Sequence, residues 1–113
     1  METLENKLLS VVIPAHNEES GIAHALSVIR EILDSCGMNW EIIVVDDGSR
    51  DQTFDQLREL ARQDARIRGA RFSRNFGKEA ALLAGLNLAR GDAVVTIDAD
   101  LQHPPRLIPA MIE

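Results

Sequence analysis

The sequence predicts an α/β domain built on a parallel β-sheet with flanking helices. Three observations carry this reading. Apolar, β-branched runs recur at Leu8–Ile13, Trp40–Val45, Ile67–Phe72 and Ala93–Ile97. Runs without polar alternation suit strands buried on both faces, as parallel sheets require. Segments with apolar residues at helical spacing separate them, and such strand–helix alternation implies parallel strands joined by right-handed crossovers. Finally, the first, second and fourth runs break abruptly into polar or acidic clusters.

In chain order, Leu8–Ile13 is the first strand and Pro14 ends it. Asn17 or Ser20 is placed to cap the following helix, with Glu18 and Glu19 in its favourable first turn. Ile22, Leu26, Ile29 and Leu33 mark that helix, and Gly37 stops it. The second strand, Trp40–Val45, runs into Asp46-Asp47-Gly48-Ser49. Ser49 and Gln52 have capping-box spacing; Phe54, Leu57 and Leu60 or Ala61 then form an apolar face. The third strand, Ile67–Phe72, carries Gly69, which weakens it and places it near an edge. Lys78 to Arg90 reads as a helix that is apolar on most sides and therefore largely buried. Gly85 inside it costs about 1 kcal/mol relative to alanine, so close backbone packing is expected there. Gly91 ends this helix, and Ala93–Ile97 forms the fourth strand.

Bulk properties narrow the function. The 113 residues suffice for one domain with a real core. A formal net charge of −6 argues against nucleic acid or an anionic membrane as the direct partner. Cys36 is the single cysteine, which fits a reducing compartment. No N-terminal signal pattern is present, and no apolar run approaches the roughly 20 residues that span a bilayer. Leu107–Glu113 reads as the opening of a helix, so the chain is expected to be a fragment of a longer protein.

The chemistry gathers where strands end. In a parallel sheet, Pro14–Glu18, Asp46-Asp47 and Asp98–Gln102 share one edge, and ligands of open α/β sheets bind outside the carboxyl ends of the strands. Asp98 and Asp100 lie two apart and face one way in extended backbone. Their repulsion is relieved by a cation, and hard oxygen ligands suit Mg²⁺ or Mn²⁺. Gln102 can add a carbonyl oxygen. The first strand is not followed by a glycine-rich G-x-G-x-x-G turn, and no P-loop is present. Carboxylates that accept hydrogen bonds from a nucleobase or ribose, with a metal on the diphosphate, fit a nucleotide-sugar enzyme.

The segments VVIPAHNEE, EIIVVDDGSRDQT, SRNFGKEAALLAGLNLARGD and TIDADLQHPP resemble family 2 glycosyltransferases of the GT-A fold. They are most similar to the polyprenyl-phosphate glycosyltransferases. The resemblance covers Leu9 to about Ile112. It implies the Rossmann-like GT-A sheet, with residues 1–113 as its nucleotide-binding half only. It also implies that Pro14, His16, Glu18, Val45 and Asp47 border the nucleotide. Asp98, Ala99 and Asp100 would contact the sugar nucleotide, Asp98 and Asp100 carrying the catalytic role, and Asp100 with Gln102 would hold the metal. The sequence departs from the family at His16, where an aromatic residue is usual. Arg74-Asn75-Phe76-Gly77-Lys78 resembles the bacterial members, which points to undecaprenyl phosphate as acceptor and a UDP-glucose or GDP-mannose type of donor. Acceptor binding and membrane attachment would lie in a C-terminal part. The full-length protein is then expected at the cytoplasmic face of the cell membrane. The fragment itself is expected to be soluble, to bind nucleotide weakly and not to catalyse transfer. A homo-oligomer is left open.

Plainer readings stand beside these. Asp46 is read as structural and Asp47 as binding; Glu18 as functional and Glu19 as a helix-dipole partner. Arg71, Arg74 and Lys78 read most simply as a solvated basic loop, with a diphosphate contact from Lys78 or Arg74 the lesser reading. His24 and His103 are read as surface or capping residues, Cys36 and Trp40 as packing residues. Rival functions are a soluble glycosyltransferase acting on a glycan hydroxyl and a metal-free nucleotide-binding module. A phospho-accepting receiver domain fails on order, because there the acidic pair follows the first strand and the lysine follows the last.

Overall fold

The computed structural model describes residues 7–99. The expectations for Asp100, Gln102, His103 and the helix opening at Leu107–Glu113 lie outside the described residues. Strand β1 (Leu8–Ala15) leads to α1 (Ile22–Asp34), β2 (Asn39–Asp46), α2 (Thr53–Gln63), β3 (Ile67–Arg71), α3 (Lys78–Leu88) and β4 (Ala93–Thr96). All pairings are parallel, in the order β3-β2-β1-β4. The register aligns Leu8 with Asn39 and Ala15 with Asp46, so β1 and β2 end level with each other. Ile67 pairs with Ile42, and Ala93 with Leu9.

Alternation along β1 assigns its side chains to two layers. Leu9, Val11 and Ile13 join Ile22, Leu26, Ile29 and Leu33 of α1, with Leu57 of α2, in the main core. A smaller cluster of Ile43, Val45 and Ala81 packs the opposite face of the sheet beneath α3. The chain thus moves outward from β1 through β2 to β3, then crosses the other face to β4 on the far side of β1. A switch of this kind opens a crevice at the carboxyl ends of the strands.

Several expectations meet specific geometry. Gly69 lies on the edge strand, and a Cβ there would come within 2.8 Å of Leu57 Cδ2. A Cβ on Gly85 would sit 2.2 Å from Val12 Cγ1, so α3 rests directly on the central strand as its glycine implied. Other expectations are corrected. Helix α3 ends at Leu88, and only Ala81 and Gly85 are buried; Leu83 is 61% exposed and Leu86 46%. Its apolar residues encircle the helix instead of forming a stripe, so contact along one line leaves the others uncovered. In β4, Val94 is 39% exposed, because among the described residues this strand is a sheet edge.

Helix starts differ as well. Helix α1 begins after Gly21 with no side-chain cap and no acidic residue in its first turn. Asn17 instead adopts φ 53° and accepts a hydrogen bond from the Arg50 amide at 2.9 Å. The Ser49–Gln52 capping box does not form: Ser49 Oγ donates to Asp46, and α2 starts one residue after Gln52. Short polar side chains serve turns as readily as helix caps, and here a neighbouring loop claims them.

Candidate active site

The turn after β1 and the turn after β2 are stitched together. The Asp47 amide donates to the Ala15 carbonyl at 2.8 Å. The amides of Asn17 and Glu18 donate to Ser49 Oγ and Thr53 Oγ1, each at 2.8 Å. His16 Nδ1 lies 2.8 Å from the Asp47 carbonyl oxygen. A carbonyl only accepts, so the ring donates from Nδ1. The Asn75 side-chain amide reaches that ring at 3.3 Å.

The adjacent aspartates divide their roles. Asp46 is fully buried and accepts from the Ser49 amide at 3.1 Å and from its hydroxyl. This agrees with the structural role read for it. Asp47, 4% exposed, accepts from the Phe76 amide at 2.7 Å and the Gly77 amide at 3.0 Å. Its carboxylate therefore clasps the segment that enters α3. Gly48 is required beneath that segment: its φ is +68°, and a Cβ would lie 2.3 Å from the Arg74 carbonyl carbon.

The clasp sets the direction of Lys78, the first residue of α3. Its Nζ lies 2.6 Å from Asp98 Oδ1, just past the end of β4. The result is a cleft of about 270 Å³ lined by Pro14, Ala15, His16 and Glu18 after β1, Asp47 after β2, Lys78 of α3, and Asp98-Ala99 after β4. Six of the predicted residues, Pro14, His16, Glu18, Asp47, Asp98 and Ala99, therefore meet in one place. Val45 does not line the cleft; its side chain is fully buried in the cluster beneath α3. Asp100 and Gln102 lie outside the described residues. Asn75 was not among the predicted site residues, and Lys78 entered only through the lesser reading of a diphosphate contact. The available signal was topological, since a helix leaving a parallel strand begins at the same edge where the strands end.

Beside the cleft, across His16 and Asn17, lies a wider basin of about 790 Å³ bordered by Arg50, Arg71 and Arg74. Arg74 lies over the Phe76 ring at 4.7 Å and Arg71 over the Phe54 ring at 5.0 Å.

The described residues supply hard oxygen donors at Glu18 and Asp98, a fitting chemistry for a divalent cation. No group of three or more His, Cys, Asp or Glu residues converges on a metal position among the described residues.

Residues 10–113 match the family model of glycosyl transferase family 2. The chain belongs to that family. It is 41% identical over 114 residues to the undecaprenyl-phosphate 4-deoxy-4-formamido-L-arabinose transferase of Aeromonas hydrophila, covering all of this chain and 35% of that protein. It is 45% identical to the uncharacterized glycosyltransferase YkcC of Bacillus subtilis, over 92% of this chain and 32% of that one. The chain thus spans about a third of the length of the curated relatives it matches. Among solved structures, it is similar to the mannosyltransferase PcManGT of Pyrobaculum calidifontis in complex with GDP-Man and Mn²⁺. The TM-score is 0.73 at 31% identity, covering 88% of this chain and 29% of that one. It is also similar to TarS of S. aureus in complex with UDP-GlcNAc, with a TM-score of 0.65 at 28% identity over 81% of this chain and 26% of that one. The parallel sheet with flanking helices is the GT-A arrangement these neighbours share. No helix among the described residues is long and apolar enough to cross a membrane.

Proposed function

We propose that the chain is the donor-binding part of an inverting glycosyltransferase that moves a sugar from a nucleoside diphosphate to a polyprenyl phosphate such as undecaprenyl phosphate. The observation that carries this reading is the single cleft at the ends of β1, β2 and β4, with Glu18, Asp47, Lys78 and Asp98 on its walls. The acceptor is supported by the names of relatives acting on undecaprenyl phosphate. The donor class is supported by neighbours that hold GDP-Man or UDP-GlcNAc. A hexose donor of the UDP-glucose or GDP-mannose type is the reading made here, and the relatives' names add a formamido-arabinose donor beside it.

Asp47 and Glu18 present acceptors for nucleobase or ribose donors, and His16 offers a ring face for the base. Asp98 and Ala99 border the sugar and diphosphate. Asp100 with Gln102 would hold Mg²⁺ or Mn²⁺, which when bound stabilises negative charge on the departing diphosphate. An oxygen of the lipid phosphate forms the new bond to the anomeric carbon as the bond to the diphosphate oxygen breaks on the opposite face. The sugar passes through an oxocarbenium-like state. The nucleophile needs no general base, because a phosphate monoester with a second pKa of about 6 is largely dianionic near neutrality.

The test is calorimetric titration of the full-length protein with UDP and GDP, with and without Mn²⁺, followed by transfer of labelled sugar to undecaprenyl phosphate. Metal-dependent nucleotide binding and an inverted lipid-linked product are expected. Nucleotide binding indifferent to metal would refute the donor site in favour of a metal-free regulatory module. Transfer to a glycan hydroxyl in place of the lipid would refute the acceptor.

A further inference from the structure

We propose that Lys78 contacts the donor's diphosphate, exchanging its ion pair with Asp98 for a phosphate oxygen; this rests on the nucleotide-sugar reading above. Charge balance within the cleft is the first argument. Among the described residues, Glu18, Asp47 and Asp98 line it together with one cationic side chain, Lys78. A diphosphate entering such a cleft meets repulsion unless cations lie between it and the carboxylates.

The second argument concerns amide donors. The start of a helix ordinarily offers backbone N–H groups to a phosphate. Before α3, the Phe76 and Gly77 amides are already taken by the two oxygens of Asp47. That leaves the amides of Lys78, Glu79 and Ala80, which precede the first intrahelical bond from Ala81 to Gly77, and the Lys78 side chain adds a positive charge beside them. The third argument is reach. The Lys78 side chain is 60% exposed while its ammonium lies 2.6 Å from Asp98 Oδ1, whose side chain is 21% exposed. The ammonium thus sits at the cleft surface on a flexible four-carbon stem, held by a single oxygen. An ammonium has three donors, so it can turn to a phosphate without leaving the cleft. Asp98 is released in the same movement, two residues from Asp100, where the cation is expected.

The experiment uses the full-length protein and compares wild type, Lys78→Gln and Lys78→Arg. Affinity is measured for UDP and GDP with Mn²⁺, for uridine and guanosine, and for Mn²⁺ alone. Lys78→Gln should bind the diphosphate about tenfold or more weaker, as expected for one charge-assisted hydrogen bond. Binding of the nucleoside should stay unchanged, and Lys78→Arg should restore most of the diphosphate affinity. Mn²⁺ alone should bind Lys78→Gln more tightly than wild type, since a competing cation beside Asp98 is gone. A mainly structural lysine would weaken nucleoside and diphosphate alike. Equal diphosphate affinity in wild type and Lys78→Gln, or a parallel loss of nucleoside binding, overturns the proposal while leaving the donor site standing. A wild type that binds neither UDP nor GDP overturns the donor reading, and this proposal with it.

Discussion

Replacing Gly85 with alanine sets two known effects against each other, so the sign of the result is informative. Inside a helix, alanine is favoured over glycine by about 1 kcal/mol. That effect alone predicts a more stable protein. Against it, the new Cβ would lie 2.2 Å from Val12 Cγ1 and 3.3 Å from Val12 Cβ. Carbon atoms prefer separations of about 3.5–4.0 Å. Val12 is fully buried on β1, which is flanked by β2 and β4. It is β-branched and stiff, so rotation offers little relief. The helix must instead lift away from the sheet, loosening Ala81 from Ile43 and Val45. Overpacking of this kind costs about 1–3 kcal/mol. The exposed outer side of α3 lets it retreat, which places the overpacking cost near the middle of that range, and the net loss at about 1 kcal/mol after the propensity gain. Urea denaturation should show a lower midpoint with an unchanged slope. Val12→Ala should cost less in the Gly85→Ala background than in wild type, with a coupling of about 1 kcal/mol or more. Stabilisation by Gly85→Ala, or additivity with Val12→Ala, would refute direct contact between helix and strand.

Three further outcomes follow from the same geometry. Asp47→Asn turns one acceptor into an N–H donor facing the Phe76 or Gly77 amide, which should cost about 1–3 kcal/mol. Hydrogen exchange at those two amides should accelerate more than in the β-strands; uniform change would count against the clasp. Gly48→Ala combines a φ of +68° with a Cβ placed 2.3 Å from the Arg74 carbonyl carbon, so it should displace the segment leading to Lys78. It should weaken nucleotide binding by about tenfold or more, a loss of about 1.4 kcal/mol, and unchanged affinity would contradict the close approach. For pH, burial pushes the Glu41 carboxyl up, but hydrogen bonds from Ser10 Oγ, the Arg90 amide and Arg68 hold it below its ordinary range. The hydrogen bonds and charge of Arg66 likewise hold Asp64 down, against its burial. A depressed carboxyl binds fewer protons folded than unfolded. Its contribution is therefore complete above the ordinary pKa of about 4 and disappears as pH falls through the lower folded value. Glu41→Gln and Asp64→Asn should each flatten the fall of the melting temperature between about pH 4.5 and 2.5; parallel curves would refute the assignment.

The framework was readable because parallel sheets have a distinctive composition. The runs at Leu8–Ile13 and Trp40–Val45 correspond to β1 and β2, which extend to Ala15 and Asp46. Hydrogen bonding continues through residues that look like turn formers, because neighbouring strands still offer partners. The edge position read from Gly69 holds for the same reason: weak strands tolerate one missing neighbour. Less legible was what covers each face. The apolar residues of α3 predicted burial, yet Leu83 and Leu86 stand exposed among the described residues. Composition reports that a surface is apolar, and only the arrangement of partners decides whether it is covered.

The cleft shows the same division at the scale of single side chains. Sequence order locates the strand ends, and sheet topology then brings Glu18, Asp47 and Asp98 together without further information. What sequence order does not convey is which oxygens are already engaged. Asp47 stands where a nucleotide ligand was expected, and both of its oxygens accept backbone amides. A carboxylate has about four acceptor positions, so holding this segment and accepting from a base are compatible. Its first consequence, however, is to fix the entrance of α3, and with it the only cationic side chain that lines the cleft among the described residues. Lys78 read as part of a solvated loop because nothing within its own segment gives it a partner; its partner, Asp98, lies a whole helix and strand away. Charged residues at the starts of helices in parallel sheets should therefore be judged against the strand ends of the entire sheet, since those ends, and not the local segment, supply their partners.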